Sequence, residues 1–546
     1  MACAADKPKI FSLTPPLGEI GSLVTIHGEN FGNVQNESYV SIGGVIPTGS
    51  SYYSWSDTII VVQVPDFGES GILFVNCKNQ KSNPVLFATT NTIPKITETK
   101  YSGPFITGIK NQSAKIGDII TISGNGFGSR QSDGSVLFTM AAENSVFDKL
   151  NLAPMISSSE FSGTIESWTG HEISVFVTDG AGSGVVKVQS EGMESNGFNF
   201  YVDTSNGKKT SKNKKTYTLD YSVDVSVEKA SLPNAIYLWV PQPQTYYAQI
   251  KKELLSSNIE AIITDHKGTS LFRLENFKNG ATKNITLSYL VDVYEISTVV
   301  EQSFLRQTIP QSEFATANFL KKWSEPGKLI PSDKKEIIDI SNSIKSDRNP
   351  YAKAKAIYKY ILDNIKIVND TSIIKETLMA GKESASTEIE MSSELEKVIR
   401  EKKATPYTAS LLFCALCRSS GLPSLPVSGV LAENDTKTSA HTWAMVWINT
   451  IGWIPVDLAL GQNAESENKR FVQAEDYGEY YFGNLDNSHI TFTIGELKLS
   501  QMDISGHTSG NGGEYARQNI WEEAAGTIES YSSLWSSVSI TGVYSN

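Results

Sequence analysis

The sequence predicts a multidomain chain made mostly of β-structure: two immunoglobulin-like β-sandwiches and a third β-domain, followed by an α+β unit. Three observations carry that expectation. The chain has 546 residues, room for three to five domains at roughly 100–200 residues each. A pattern of alternating strand and glycine-rich turn occurs twice near the start. The apolar period then changes from 2 to about 3.6 near residue 350.

Composition narrows the classes of function. Lys and Arg number 47 against 59 Asp and Glu, a net charge of −12, which excludes nucleic acid as a partner and offers no basic face for anionic lipid. Hydrophobic residues make up 40% and charged residues 19%, the balance of twisted sheets joined by short polar turns. Four cysteines are too few to form a disulfide framework in a chain of this length. No apolar run approaches the roughly 18 residues of a spanning helix, and no basic-then-apolar leader opens the chain. The chain reads as soluble or already trimmed of its leader. Cys3, followed by Ala4, Ala5 and Asp6, fits the lipid-bearing first residue of a bacterial lipoprotein, and equally an ordinary residue beside an initiator Met.

The repeat runs G-S-L-V-T-I-H-G-E-N-F-G from Gly21 to Gly32 and G-D-I-I-T-I-S-G-N-G-F-G from Gly117 to Gly128. Each copy is an alternating strand ending in a turn closed by an aromatic residue. The match continues downstream. Trp55 with the strand 59–64 corresponds to Trp168 with 173–177, Gly71–Val75 to Gly184–Val188, and Ser82–Phe87 to Ser195–Phe200. Two small sandwiches are therefore expected at 7–90 and 93–202, the second with an insertion near 139–165. This order of motifs resembles the IPT/TIG immunoglobulin-like domain in both copies. The resemblance implies spacer or adhesive modules of surface proteins, a fold that does not by itself determine function.

Residues 203–216 contain no apolar side chain and five lysines, a composition expected of a polar linker. Proteolysis is expected to begin within Lys208–Lys215, and residues 1–202 to fold by themselves. From Tyr217 the period of two returns (Tyr217, Leu219, Tyr221, Val223, Val225), giving a β-domain over 217–300. Ala354, Ile357, Tyr358, Ile361, Leu362 and Ile365 then fall on one face of a helix. The α+β domain is assigned to 301–500, and 501–546 to a Gly/Ser-rich C-terminal segment.

The chemistry-bearing residues lie in the α+β part. Thr405 and Pro406 have the types of an N-cap and first helical residue, with Ala409, Leu412, Phe413, Leu416 and Cys417 on the apolar face and Gly421 and Pro423 closing the helix. Next come an alternating strand through His441, Trp443, Met445 and Trp447, a turn, and a strand from Trp453 to Asp457. A hairpin centred near Asn449 sets His441 directly opposite Asp457, roughly 5 Å apart at Cβ. A slip of one residue would separate them onto opposite faces.

The helix A-x-L-L-F-x-A-L-x-R-x-x-G-L-P, then H-x-W and G-W-I-P-V-D, resembles the transglutaminase-like core of the papain-like fold over about 350–460. Trp239–Pro243 with Tyr247 and Gln249 is similar to the β-domain that often precedes this core. Tyr481–Asp486 with Ile490 and Phe492 is similar to the strand segment that often follows it.

The resemblance implies an acyl-enzyme mechanism in active members. A Cys at the helix N-terminus, ionised by the helix dipole and a His, attacks a carboxamide or peptide carbonyl. Carried over, the base falls on His441 and the orienting carboxylate on Asp457. The nucleophile falls on Pro406, and the Gly-x before it on Ala404 and Thr405. Cys414 and Cys417 lie roughly 12 and 16 Å further along the helix and read as buried structural residues. Their C-x-x-C spacing has no second pair to make a zinc set. Thr405 is the one hydroxyl at the helix start, a weak nucleophile candidate and more naturally the cap.

His27, His171, His266, His489 and His507 show no partner pattern. No metal or cofactor is expected. The chain is thus read as a secreted, periplasmic or surface-attached bacterial-type protein whose degenerate transglutaminase-like domain binds an extracellular protein or polysaccharide. The alternative is an acyl transferase or cysteine-protease-like hydrolase working through Thr405.

Overall fold

The computed structural model describes residues 7–66, 70–89, 103–128, 134–143, 154–158, 164–346, 349–368, 391–462, 472, 474–499, 502, 507–509, 514–515 and 520–545. Cys3 lies outside the described residues, as does much of the insertion near 139–165.

The two repeats fold alike. In the first, strands Lys9–Thr14, Leu23–Glu29, Ile59–Gln63 and Tyr52–Trp55 lie side by side in that order; in the second, Phe105–Lys110, Ile119–Asn125, Glu172–Phe176 and Ile165–Trp168 do the same. Both first strands carry a bulge at the same place, between Ile10 and Ser12 and between Ile106 and Gly108. The repeated side chains have matching tasks. The Trp indole N–H donates to the carbonyl of the turn aromatic, Trp55 to Phe31 at 3.0 Å and Trp168 to Phe127 at 2.8 Å. The Asn of each S-N pair clamps the bulged strand through both its amide atoms, Asn83 on Ile10 and Asn196 on Ile106.

The repeated glycine before the aromatic is required by close approach. A Cβ on Gly124 would stand 2.2 Å from Phe105 O and 2.3 Å from the Phe127 ring. Gly124→Ala is therefore expected to lower stability by about 1–3 kcal/mol through overpacking. Gly108→Ala, where nothing lies within 4 Å, should stay within about 0.5 kcal/mol of the parent. Denaturant unfolding of the full chain checks both, and equal costs would refute the packing account.

The segment expected to be a linker is a strand. Strand β1 runs from Gly207 to Pro241 and pairs antiparallel with β2, Ala281–Val300, from Gly207↔Val300 to Val227↔Ala281. Its lysines find partners in other segments: Lys212 lies 3.3 Å from Glu295 and Lys214 3.5 Å from Asp292. Ladder hydrogen bonds and remote carboxylates, invisible to local composition, order this stretch.

The C-terminal segment is also not a separate tail. Trp521–Trp535 and Ser539–Ser545 both pair with β1, so the third β-domain takes its strands from both sides of the α+β core. Its interior holds the alternating set Tyr217, Leu219, Tyr221, Val223 and Val225, together with Ile490 and Phe492 from the neighbouring domain.

In that domain, α1 (Pro350–Asn364) starts at Asn349, whose side chain accepts from Tyr351 and Ala352 N–H groups, and buries Ala354, Ile357, Tyr358 and Ile361. Helix α2 (Pro406–Ser419) is buried along most of its length. It lies against a four-stranded sheet of β3 (Ser424–Ala432), β4 (Thr438–Ile448), β5 (Gly452–Val456) and a last strand, His489–Ile494, in the order β5, β4, β3, His489–Ile494. The helix ends as its motif requires: Gly421 has φ +74°. The buried Arg418 guanidinium donates twice to Ser424 O and also to Glu325 O and Glu496.

The second sandwich is built onto this core. Asp179 accepts from Lys209 Nζ at 2.5 Å and from the Trp453 N–H at 3.2 Å, and Lys209 also donates to Trp453 O at 2.6 Å. A Cβ on Gly452 would lie 1.9 Å from Asp179 Oδ1, so the turn glycine is dictated by this contact. One buried cluster runs from Ile120 and Phe138 to Trp443, Trp447 and Trp453. The boundary expected at 203–216 is a packed interface.

Candidate functional site

The site lies where β4, the end of β5 and the strand His489–Ile494 meet. Asp457 follows the last residue of β5 and begins a short helix, α3 (Leu458–Gln462). Its Oδ1 accepts from the Leu460 N–H at 2.9 Å, as an N-cap does. That leaves Oδ2 to face His441 Nε2 at 2.5 Å.

The two residues are brought together, although not by the expected register. Trp447 pairs with Trp453 and Ala444 with Val456, so the hairpin is centred on Thr450 (φ +77°) and not on Asn449. His441 and Asp457 are therefore diagonal neighbours, with Asp457 level with Trp443 just past the end of the ladder. The shift is an even number of positions, so both side chains keep to one face.

A third residue completes the cluster, and sequence reasoning missed it. His489 Nε2 lies 3.1 Å from the same Asp457 Oδ2, and its Nδ1 lies 3.2 Å from Asp486 Oδ1. Asp486 Oδ2 accepts from the Tyr481 hydroxyl at 2.9 Å. The spacing Asp486-x-x-His489 was a signal, but the link to Asp457 spans 32 residues and depends on how the sheet is ordered. Trp443 is fully buried and walls the cluster. Its ring stacks on His441 at 6.1 Å and meets His489 edge-on at 5.0 Å.

Burial raises the Asp457 carboxyl, but the two imidazoles outweigh it and hold the group well below the usual carboxylate range. Burial alone would lower His489. Asp486 and Asp457 instead push it up to about 10, so both ring nitrogens donate in this arrangement. Asp457 and His489 are wholly buried, and His441 keeps 7% exposure. His441 Nε2, Asp457 Oδ2 and His489 Nε2 lie within 4.8 Å of one another, the convergence a cation would need.

The start of α2 is a capped helix end. Thr405 is the N-cap, its Oγ1 accepting from the Thr408 N–H at 3.2 Å, and the Thr408 hydroxyl accepts from the Thr405 N–H at 2.9 Å. Pro406 is the first helical residue. Ser410 Oγ donates to Pro406 O at 2.8 Å and to Thr442 O at 3.3 Å, tying the first turn to the strand beside His441. Cys414 and Cys417 are buried; burial pushes the Cys414 thiol up to about 12 and Cys417 well above its ordinary value. Neither is a thiolate near neutral pH.

Comparison with known proteins assigns the two kinds of module. Residues 338–458 match the transglutaminase-like superfamily and residues 8–89 the IPT/TIG domain. A curated relative, cyclomaltodextrin glucanotransferase of Paenibacillus macerans, is 28% identical over 122 residues. That match takes in 22% of this chain and only 16% of that enzyme. Among solved structures, a candidate cysteine protease from Cytophaga hutchinsonii is 16% identical, covering 60% of this chain and 92% of its own, with a TM-score of 0.36. The periplasmic domain of TgpA from Pseudomonas aeruginosa is 11% identical, covering 45% and 86%, with a TM-score of 0.23. SGBP-B from a xyloglucan utilization locus of Bacteroides uniformis is 12% identical, covering 54% and 100%, with a TM-score of 0.14. The chain thus carries an IPT/TIG domain followed by a transglutaminase-like domain, in a multidomain, mostly β architecture.

Proposed function

We propose that this protein is a secreted or surface-attached binding protein whose transglutaminase-like domain holds an extracellular protein or polysaccharide and does not catalyse acyl transfer. One observation carries the reading. The helix start that presents a thiolate in active members of the family here holds Pro406, behind a Thr405 cap whose hydroxyl is already hydrogen-bonded. Ser410 of the same helix donates to the carbonyl of Thr442, the residue after His441, and His441 and Asp457 are paired. Without a nucleophile they form no covalent intermediate, which is what divides the acyl-transfer barrier. The reading is preferred to a Thr405 enzyme because Thr405 Oγ1 already serves as the helix cap, accepting from the Thr408 N–H.

The test is direct. The full chain should incorporate no fluorescent primary amine into a glutamine-containing protein. Under native conditions an alkylating thiol probe should leave Cys414 and Cys417 unmodified. Pro406→Cys should be alkylated at least tenfold faster than either natural thiol, since that position starts a helix. Amine incorporation that vanishes in His441→Ala but survives in Cys414→Ala and Cys417→Ala would overturn the reading.

A further inference from the structure

We infer that His441, Asp457 and His489 form a binding site for a divalent transition-metal cation of the zinc class. This goes beyond the proposed function and does not rest on it: the site exists whether the domain holds a polysaccharide, a protein or neither.

The donor atoms are already aimed at one point. His441 Nε2 and His489 Nε2 approach the same oxygen, Asp457 Oδ2, at 2.5 and 3.1 Å. Tetrahedral ligands about 2.0–2.1 Å from zinc stand about 3.3 Å apart, so small side-chain rotations open the space required. Asp457 Oδ1 is held by the Leu460 N–H, which leaves a single carboxylate oxygen to offer. Behind His489, Asp486 receives Nδ1 and is itself held by Tyr481. A carboxylate behind the far nitrogen is the arrangement that orients a metal-bound imidazole.

Among the described residues, His441 Nδ1 has no hydrogen-bond partner, so it can take up the ring proton that Nε2 now donates to Asp457 and so free the Nε2 lone pair for a metal. Two imidazoles and one carboxylate suit zinc and its neighbours better than calcium or magnesium, which take oxygen sets. Three protein ligands leave a position for water, on the side where His441 reaches solvent. On binding, His489 gives its Nε2 proton to solvent, the His441 ring proton passes through solvent from Nε2 to Nδ1, the two hydrogen bonds to Asp457 Oδ2 are given up and three metal–ligand bonds form.

The experiment uses the full chain, freed of metal by chelator and dialysis, and titrated with Zn2+ in competition with a chromophoric chelator. One zinc per chain should bind with a dissociation constant in the micromolar range or below. His441→Ala should weaken binding at least tenfold with the circular dichroism of the parent, and with a lower metal-free melting temperature because the buried Asp457 loses one of its two imidazole partners. Asp486→Asn should weaken it by roughly ten- to a hundredfold. If His441→Ala does not fold, His441→Gln serves in its place, keeping a donor to Asp457 but no imidazole. Co2+ in place of zinc should give a tetrahedral spectrum without thiolate charge-transfer bands. The absence of saturable binding up to about 1 mM metal, unchanged affinity in the His441 variants, or a thiolate signature would each overturn the site.

Discussion

Lys209→Met is expected to lower the stability of the full chain by about 3–5 kcal/mol, the usual consequence of leaving one member of a buried ion pair alone. The Lys209 and Asp179 side chains are 3% and 9% exposed. Burial pushes the Asp179 carboxyl up and the Lys209 ammonium down to about 8, so each charge survives in the interior because the other is there. Lys209 also stands 3.5 Å from the centre of the Tyr247 ring. The single variant leaves Asp179 with backbone hydrogen bonds from Trp453 and Gly180 and no counter-charge. Pairing it with Asp179→Leu should recover most of the loss, because an apolar pair of similar volume removes both desolvation terms. Unfolding followed by tryptophan fluorescence reads the junction, since Trp453 contacts both charges. A cost below about 1 kcal/mol, the level of a surface pair, would mean that the second sandwich is held by apolar packing alone.

Arg418→Met should be comparably severe, at about 3–5 kcal/mol. The guanidinium is 1% exposed and lies 2.6 Å from a Glu496 oxygen. It also donates to Ser424 O at 3.0 and 2.9 Å and to Glu325 O at 3.0 Å. Methionine fills much of the volume but leaves two carbonyls and a carboxylate without their donor. Arg418→Lys should recover only part of the loss, because an ammonium cannot serve three directions from one planar group. Chemical denaturation of the three proteins checks the order. Lysine equal to arginine would show that charge alone matters there, and not the geometry that couples the end of α2 to β3.

Both residues show how differently parts of the molecule could be read. Arg418 was visible as one letter of a helix-end motif, because Ser424, one of its partners, is six residues away, whereas its other partners Glu496 and Glu325 are 78 and 93 residues away and were not legible. Lys209 was read as part of a linker, because its partners Asp179 and Trp453 are 30 and 244 residues away. The hairpin lies between these cases. Alternation placed His441 and Asp457 on one face, while the pairing moved by an even number of positions once Thr450 took the turn.

What the sequence determined by itself is local or repeated. The duplicated sandwich, the cap and end of α2 with Pro406 as its first residue, and the one-faced helix α1 all follow from spacing over a few residues, where backbone geometry leaves few choices. What only the tertiary structure decided are the contacts that close long loops: the C-terminal strands returning to β1, the second sandwich locked by Asp179 and Lys209, and His489 completing a cluster with His441 and Asp457. The physical reason is common to all three. A charged or polar side chain is stable in the interior only beside its partner, and which partner arrives is set by the order of strands in a sheet, which the period of side chains along one strand does not specify.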